Sequence, residues 1–399
     1  MANILVAWEF GGGLGHLTHL APFITTLIER GHQVTLVTKG LGVLYRFEFP
    51  EELKILPVPY ALTPEDKPKA TACIASILMQ YGYSNRYALE QMVKSWRSIF
   101  DLVKPDLLIC DYAPTALIAA NKMDCKKVII GSGFAELKPG LPCRILTPWV
   151  DGIERIAVRH EGQVVKTINK ILDPERKTIK YLGDLFLSDF LLMTTLPELD
   201  HYQRDRSTTY YIESVKNNLF TAKANWAENG KPKVFAYLKA HAKNTGIMIR
   251  VLAESGFDVI CCCNGLAKLN MPSDIHSKIQ LLDYPVDLSG LLKTADIVVN
   301  HASKELVAES LSKGKPQLVL PAQLEQVENT RLIEKLNIGL NVPPQSSPQD
   351  ILITLRRLVD DPKYRLAAEA IAERNATKAT KATMHSYMDG VRAIENLLK

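Results

Sequence analysis

Ile4-Leu5-Val6-Ala7-Trp8-Glu9-Phe10-Gly11-Gly12-Gly13-Leu14-Gly15-His16 opens the chain with an apolar run, a glycine-rich turn and the start of a helix, and its reading decides the fold. A second stretch of the same kind lies far downstream. There Ile297-Val298-Val299 leads into His301-Ala302-Ser303-Lys304-Glu305-Leu306-Val307-Ala308-Glu309, followed by Pro321 to Gln326. Each stretch puts a polar turn and a helix start at the carboxyl end of a buried strand, where open α/β sheets bind ligands. One such place suggests a nucleotide fold; two at this separation suggest two such domains facing each other across a cleft, with His16 and His301 towards it.

Outwards from these two stretches, strand and helix alternate. In the first half, Ile4 to Trp8 reads as a strand, Leu17 to Arg30 as a helix stopped by Gly31, and Gln33 to Thr38 as the next strand. A Pro-rich stretch around Pro57 to Pro68 and a long helical region through Trp96 lead to Lys104-Pro105-Asp106 and the strand Leu107 to Cys110. Val128 to Gly131 and Phe190 to Thr194 read as further strands, the second closing a charged, mainly helical region. Between Asn217 and Pro232 the apolar pattern weakens and Asn, Lys and Gly accumulate, which marks a linker. Strands then resume at Val234 to Leu238, Asp258 to Cys263, Ile279 to Leu282, Ile297 to Asn300 and Gln317 to Leu320, with a helix over Thr245 to Glu254. Two βαβ series predict an α/β protein with two doubly wound sheets.

A length of 399 residues exceeds the size at which single cores stop growing, so two domains are expected. With 47% hydrophobic and 23% charged residues, usage is that of a soluble globular protein. A net charge of +5 without a stripe of Arg and aromatic residues does not point to nucleic acid. The seven cysteines include the trio Cys261-Cys262-Cys263, read as part of a buried strand, and none has the paired spacing of a zinc site. A reduced, cytoplasmic setting is expected. The first residues read as strand one and not as a signal peptide, because Glu9 breaks the apolar run and a basic start is missing. No apolar stretch is long enough to span a bilayer.

The glycine-rich turn does not fit a dinucleotide site. That fingerprint needs G-x-G-x-x-G and an acidic residue about 20 positions on. Counted from Gly11 the third position is His16, counted from Gly13 it is Thr18, and the second strand ends in Thr38-Lys39 without a carboxylate. A P-loop is excluded as well, since no Gly-Lys-Ser/Thr follows. What remains is a turn whose glycines let backbone approach a ligand while His16 opens a helix beside it. A neutral imidazole there can take a proton from a hydroxyl near pH 7. Equally, His16 can simply cap the helix or touch a loop.

Together these segments resemble the family 1-type, nucleotide-sugar-dependent glycosyltransferases of GT-B fold, the UDP-glycosyltransferase and macrolide glycosyltransferase kind, over most of both halves. Gly13-x-Gly15-His16-Leu17-Thr18 is similar to the loop carrying their base. The run from Ala295-Asp296 through His301, Glu309-Ser310, Gly314-x-Pro316, Pro321, Glu325-Gln326 and Asn329 is similar to their donor-binding signature. The resemblance implies two Rossmann-like domains, an acceptor-binding one over residues 1–215 and a donor-binding one over 216–385, with a carboxy-terminal helix over 386–399 packing back on the first. It also implies an inverting, metal-independent hexosyltransferase. His16 would then be the base, Gly13 and Gly15 would line the donor, and Asp111, at the end of its strand, would orient the imidazole. Asp111 can alternatively cap the helix starting near Pro114, and the two roles are compatible.

On the donor side the resemblance places His301 and the amides of Ala302, Ser303, Lys304 and Glu305 at the pyrophosphate, where charge develops in the transition state. Glu309 would hold the ribose and Glu325 with Gln326 the sugar hydroxyls, unless these are ordinary helix-surface polarity. Tyr284-Pro285-Val286 occupies the segment that lies along the base, with Tyr284 as a stacking contact or a strand-end core aromatic. The chain departs from the family after His301: Ala302, Ser303 and Lys304 stand where relatives carry glycine, and Leu306 where they carry a small hydroxyl residue. Either Ser303 and Lys304 replace amide contacts with hydroxyl and ammonium contacts, or the pyrophosphate site is degraded.

No cofactor or metal is expected, since no DxD sits at a strand end and no His/Asp/Glu cluster has ligand spacing. The expected partners are a UDP- or TDP-sugar as co-substrate and a small-molecule, lipid or glycan acceptor. Basic residues between Arg144 and Lys180 read as a solvated amphipathic surface, with the acceptor lip or a peripheral contact with anionic lipid as the other readings. The rivals to a transferase are a GT-B sugar-nucleotide epimerase or hydrolase, which needs acidic groups beyond Asp111, and a catalytically silent nucleotide-sugar binder.

Overall fold

Fourteen strands are found among the described residues of the computed structural model, which cover the whole chain except 13, 62–67, 173–177, 213–221, 228, 285, 378–382 and 385–386. In chain order they are β1 (Asn3–Trp8), β2 (Gln33–Thr38), β3 (Lys54–Pro57), β4 (Leu107–Asp111), β5 (Lys126–Gly131), β6 (Phe190–Met193) and β7 (Tyr210–Ile212). They continue with β8 (Lys233–Lys239), β9 (Asp258–Asn264), β10 (Gln280–Leu282), β11 (Ile297–Asn300), β12 (Gln317–Val319), β13 (Gly339–Asn341) and β14 (Thr383–Met384). The chain forms two units, Met1–Val215 with Lys381–Lys399, and Lys216–Thr380.

The first unit holds a parallel sheet in the order β14-β7-β6-β5-β4-β1-β2-β3. The strand order reverses between β1 and β4, which leaves a crevice at their carboxyl ends. Pairing of Ile4 with Leu107 and of Trp8 with Asp111 sets Asp111 beside the last residue of β1. Both faces of this sheet are covered, so its strands read as unbroken apolar runs and not as alternating ones. Ile4, Leu5, Val6, Ala7 and Trp8 are all buried.

Helix Gly15–Glu29 lies over that sheet and buries Leu17, Leu20, Phe23, Ile24 and Leu27. The carboxy-terminal helix Tyr387–Asn396 belongs to the same unit. It puts Val391 and Ile394 into the same core, and an Arg30–Glu395 ion pair of 2.8 Å closes its far end. Full burial of two such side chains contributes about 3–6 kcal/mol, so this helix steadies the one that carries His16.

The second unit has its own core and a parallel sheet in the order β10-β9-β8-β11-β12-β13, reversing between β8 and β11. The cysteine trio lies in β9 with all three thiols buried. Four short strands, β3, β7, β13 and β14, carry too few residues to show a periodicity and are found only in the structure. The helical region through Trp96 is two helices, Ile74–Met79 and Arg86–Val103. Gly82, at φ +85°, lies between them, and Asn85 caps the second by accepting from the amides of Tyr87 and Ala88. Part of the stretch read as a linker lies outside the described residues. No described helix is long and apolar enough to cross a membrane.

Candidate active site

At the β1/β4 reversal, three side chains meet on one carboxylate oxygen. His16 is the second residue of its helix and Asp111 the last residue of β4. His16 Nδ1 lies 2.8 Å from Asp111 Oδ2, and His19 Nε2, one turn along the helix, lies 2.8 Å from the same oxygen. Residues three apart share a helix face, so both imidazoles reach one group. Asp111 is 1% exposed. Burial pushes its carboxyl up, but His16 and then His19 outweigh this and hold it well below the usual carboxylate range. An ionised carboxylate only accepts, so His16 Nδ1 and His19 Nε2 both donate. That fixes the His16 tautomer and leaves a lone pair on Nε2, the arrangement a general base needs. Asp111 Oδ1 is buried and accepts no hydrogen bond among the described residues.

The side chain of His16 is 21% exposed, so its ring is reachable from solvent. Trp8 stacks on the ring, with centroids 5.1 Å apart and planes at 24°. Gly11, at φ +84°, approaches so closely that an added Cβ would stand 2.2 Å from His16 Nε2. Two buried carboxyls sit at neighbouring strand ends. Glu9 accepts from the amides of Thr115 and Ala116 at 2.9 and 2.8 Å, and burial raises it to about 7 against the pull of those amides. Glu136 accepts from the Gly133 amide and is raised to about 7 by burial and then by the Asp111 charge. A row of rings, Tyr60, Tyr81, Phe10 and Tyr112, runs beside the turn, with successive centroids 6.1, 4.7 and 5.5 Å apart. Sequence reading found His16 and Asp111 but missed His19, Trp8 and Glu136. A His three residues from His16 was the one available signal.

His16, His19 and Asp111 are also the one His/Cys/Asp/Glu group, among the described residues, whose donor atoms lie within 4.8 Å of one another. At 2.8 Å, the nitrogen to oxygen distances are those of hydrogen bonds.

In the second unit, His301 follows β11 and is bound on both sides by backbone. Nδ1 donates to the Leu320 carbonyl at 2.8 Å, and Nε2 accepts from the Lys239 amide at 3.0 Å. Lys239 ends β8 and Leu320 follows β12, so the ring ties the ends of the two strands flanking β11. Burial lowers its pKa, consistent with the neutral ring these bonds require. In this arrangement both ring nitrogens of His301 are engaged by backbone, the one N–H being given to the Leu320 carbonyl.

Ala302 adopts φ +58°, the left-handed region that favours glycine, and is fully buried. Ser303 precedes helix Lys304–Ser312 and its hydroxyl does not cap it. Lys304 is buried, with Nζ 3.5 Å from Glu305 Oε1. Glu309 and Glu325 are half-buried, while buried Gln326 accepts from the Ala322 amide at 2.8 Å. Gly15 is the first residue of its helix, and Gly13 and Pro285 lie outside the described residues. Tyr284 is 47% exposed, so it is not the core aromatic that was the alternative reading. The Val286 side chain is packed in the second unit's core, which leaves only its backbone for a ligand.

Residues 258–387 match the family model described as the erythromycin biosynthesis protein CIII-like, C-terminal domain. A Methanosarcina acetivorans protein named uncharacterized glycosyltransferase is 20% identical, over 98% of this chain and 96% of its own length. Among solved structures, the glycotransferase of kitacinnamycin is similar with a TM-score of 0.69 and 16% identity, covering 100% of this chain and 99% of that one. The glycosyltransferase VinC in complex with DTDP is similar with a TM-score of 0.66 and 16% identity, covering 99% of each chain.

Proposed function

We propose that the chain, which shares the fold of solved GT-B glycosyltransferases and matches the EryCIII-like carboxy-terminal domain over residues 258–387, moves a sugar from a nucleotide-diphosphate donor to an acceptor hydroxyl with inversion at the anomeric carbon. The observation that carries this reading is the His16–Asp111 contact, which leaves Nε2 of His16 as a base at the carboxyl ends of β1 and β4. In the step, the acceptor oxygen forms its bond to the anomeric carbon as the bond from that carbon to the diphosphate oxygen breaks. The acceptor proton passes to His16 Nε2, and Asp111 stabilises the imidazolium that forms. A resident cofactor is not part of the proposal, since the nucleotide sugar is a co-substrate. A UDP- or TDP-sugar is the proposed donor, in keeping with the DTDP bound by VinC. Its diphosphate is assigned to the start of helix Lys304–Ser312, through the amides, the Ser303 hydroxyl and the Lys304 ammonium. The aromatic row beside the turn suits an acceptor with an apolar or ring-bearing body.

A panel of UDP-, TDP- and GDP-sugars screened by thermal shift identifies the donor, because a bound ligand raises stability with the logarithm of its saturation. Transfer with that donor should give the inverted anomer by NMR. His16→Ala and Asp111→Asn should each lower kcat by roughly 10²–10⁴-fold, and the double variant should be little worse than the poorer single. Donor affinity should be unchanged. Donor hydrolysis without transfer, or tight nucleotide binding without turnover, would replace this reading with the hydrolase or the silent binder.

A further inference from the structure

We infer that His19 is a positioning residue of this site, holding the Asp111 carboxylate and sharing with His16 the charge on which His16 depends. The inference rests on the reading of His16 as the base.

A base and its orienter do not require a second imidazole. His19 nevertheless lies on the buried face of its helix between Leu17 and Leu20, at 5% exposure, where the neighbouring positions are apolar. Its Nε2 meets the same Asp111 oxygen as His16 Nδ1, at the same 2.8 Å. A carboxylate oxygen accepts two hydrogen bonds, so both fit while the rings are neutral. The carboxylate carries one negative charge, however, and fully supports one imidazolium. The two rings therefore titrate as an interacting pair.

Removing His19 acts in one direction. Asp111 loses a competing donor, its bond to His16 strengthens, and the imidazolium of His16 gains more than the neutral ring does. The other titratable groups at the neighbouring strand ends do not substitute for His19. Glu9 is turned to the Thr115 and Ala116 amides, Lys39 follows β2 and is exposed, and Glu136 is bonded to Gly133. Trp8, stacked on His16, carries no charge.

The test uses full-length protein labelled with 15N-histidine, with signals assigned through His16 and His19 variants. Ring spectra should show the Nδ1–H tautomer for His16 and the Nε2–H tautomer for His19. In His19→Phe the His16 midpoint should rise by about one pH unit, with the acid limb of kcat/KM moving by the same amount. His19→Gln keeps an N–H donor near the Nε2 position and should restore both towards wild type. An unchanged His16 midpoint in folded His19→Phe overturns the inference, as does an equal effect of Phe and Gln, which would make His19 packing alone. A stoichiometric divalent ion on the purified protein whose chelation shifts both rings overturns it too, since the nitrogens would not then be donors. Coupled titration without His16-dependent transfer would sink the base and leave the positioning intact. Transfer that needs His16 without any coupling would do the reverse.

Discussion

Gly11→Ala is the sharpest single test of the first site. The new methyl carbon would stand 2.2 Å from His16 Nε2 and 3.0 and 3.1 Å from the ring carbons Cε1 and Cδ2. Unbonded carbon contacts settle near 3.5–4.0 Å, so one side must give. The ring cannot turn away without leaving Asp111 Oδ2 and the face of Trp8. The backbone cannot easily give either, because φ +84° at Gly11 is a left-handed conformation costing an L residue about 1–2 kcal/mol. Loss of a hydrogen bond to a charged group adds about 1.5–3 kcal/mol. The sum is about 2.5–5 kcal/mol, or a fall in Tm of roughly 5–20 °C at about 2–4 °C per kcal/mol for a unit of this size. A base displaced by an ångström loses about 10²-fold in kcat.

Gly12→Ala is the control. No atom lies within 4 Å of its added Cβ, and Gly12 is not among the glycines with positive φ. Its effect should stay within about 0.5 kcal/mol. Thermal unfolding and initial transfer rates of both variants decide the matter. A Gly11→Ala protein as stable and as active as wild type, or equal losses in both, would mean that the turn does not press on His16.

Three further outcomes follow from the geometry. Glu136 has its folded pKa raised from 4.5 to about 7, so its contribution is full below about 4.5 and lost as pH rises towards 7, by about 3 kcal/mol at most. Glu136→Gln should flatten that slope and be more stable than wild type at pH 8 in urea titrations, and an unchanged pH dependence would count against a buried acid there. His301→Phe strands the Lys239 amide and the Leu320 carbonyl, costing about 2–6 kcal/mol at 1–3 kcal/mol per group; a fully stable variant that loses only nucleotide affinity would instead put a ring nitrogen on the ligand. Lys304→Ala should weaken nucleotide-diphosphate binding by about 1.5–3 kcal/mol, roughly 10- to 150-fold, in isothermal titration while leaving nucleoside binding unchanged. Equal diphosphate affinity would remove Lys304 from the site.

Both sheets were legible because the strands that build them are buried on both faces and stand out as short apolar runs. Ile4 to Trp8 and Ile297 to Asn300 are cases in point. Edge strands of two to four residues, such as Lys54–Pro57, have no such signal and depend on a neighbour already in place. At the site, the family resemblance, together with the need of an imidazole base for an orienting carboxylate, was what pointed to His16 with Asp111, and the two lie 2.8 Å apart. His19 escaped notice because a histidine inside an apolar helix pattern looks like an imperfect core residue until the carboxylate it faces is known. Likewise, nothing in Gly11-Gly12-Gly13 tells which glycine is obligatory, because that depends on the ring packed against it. The contacts of the His301 ring were hidden for a related reason. Its position at a strand end is visible in the sequence, but the two backbone groups that take its nitrogens come from strands distant in the chain.

The Ala302-Ser303-Lys304 segment shows how a residue other than glycine can hold a left-handed backbone. Glycine is the residue for which φ near +60° carries no penalty, and Ala302 takes φ +58° regardless. Its amide donates to Asn300 Oδ1 at 2.6 Å and its carbonyl accepts from Asn329 Nδ2 at 2.8 Å. Two such bonds, at about 0.5–1.5 kcal/mol each, offset a left-handed alanine costing about 1–2 kcal/mol. Asn300 is itself held through Nδ2 by Gln317 Oε1 at 3.0 Å, so the constraint reaches back into β12. The Ala302 methyl is buried, so it adds no bulk to the surface of the loop. What changes there is the pair of side chains at the head of helix Lys304–Ser312, a hydroxyl that does not cap and an ammonium. The backbone path into that helix start therefore does not require a glycine. Two asparagines hold it in place of the glycine's freedom, through fixed hydrogen bonds.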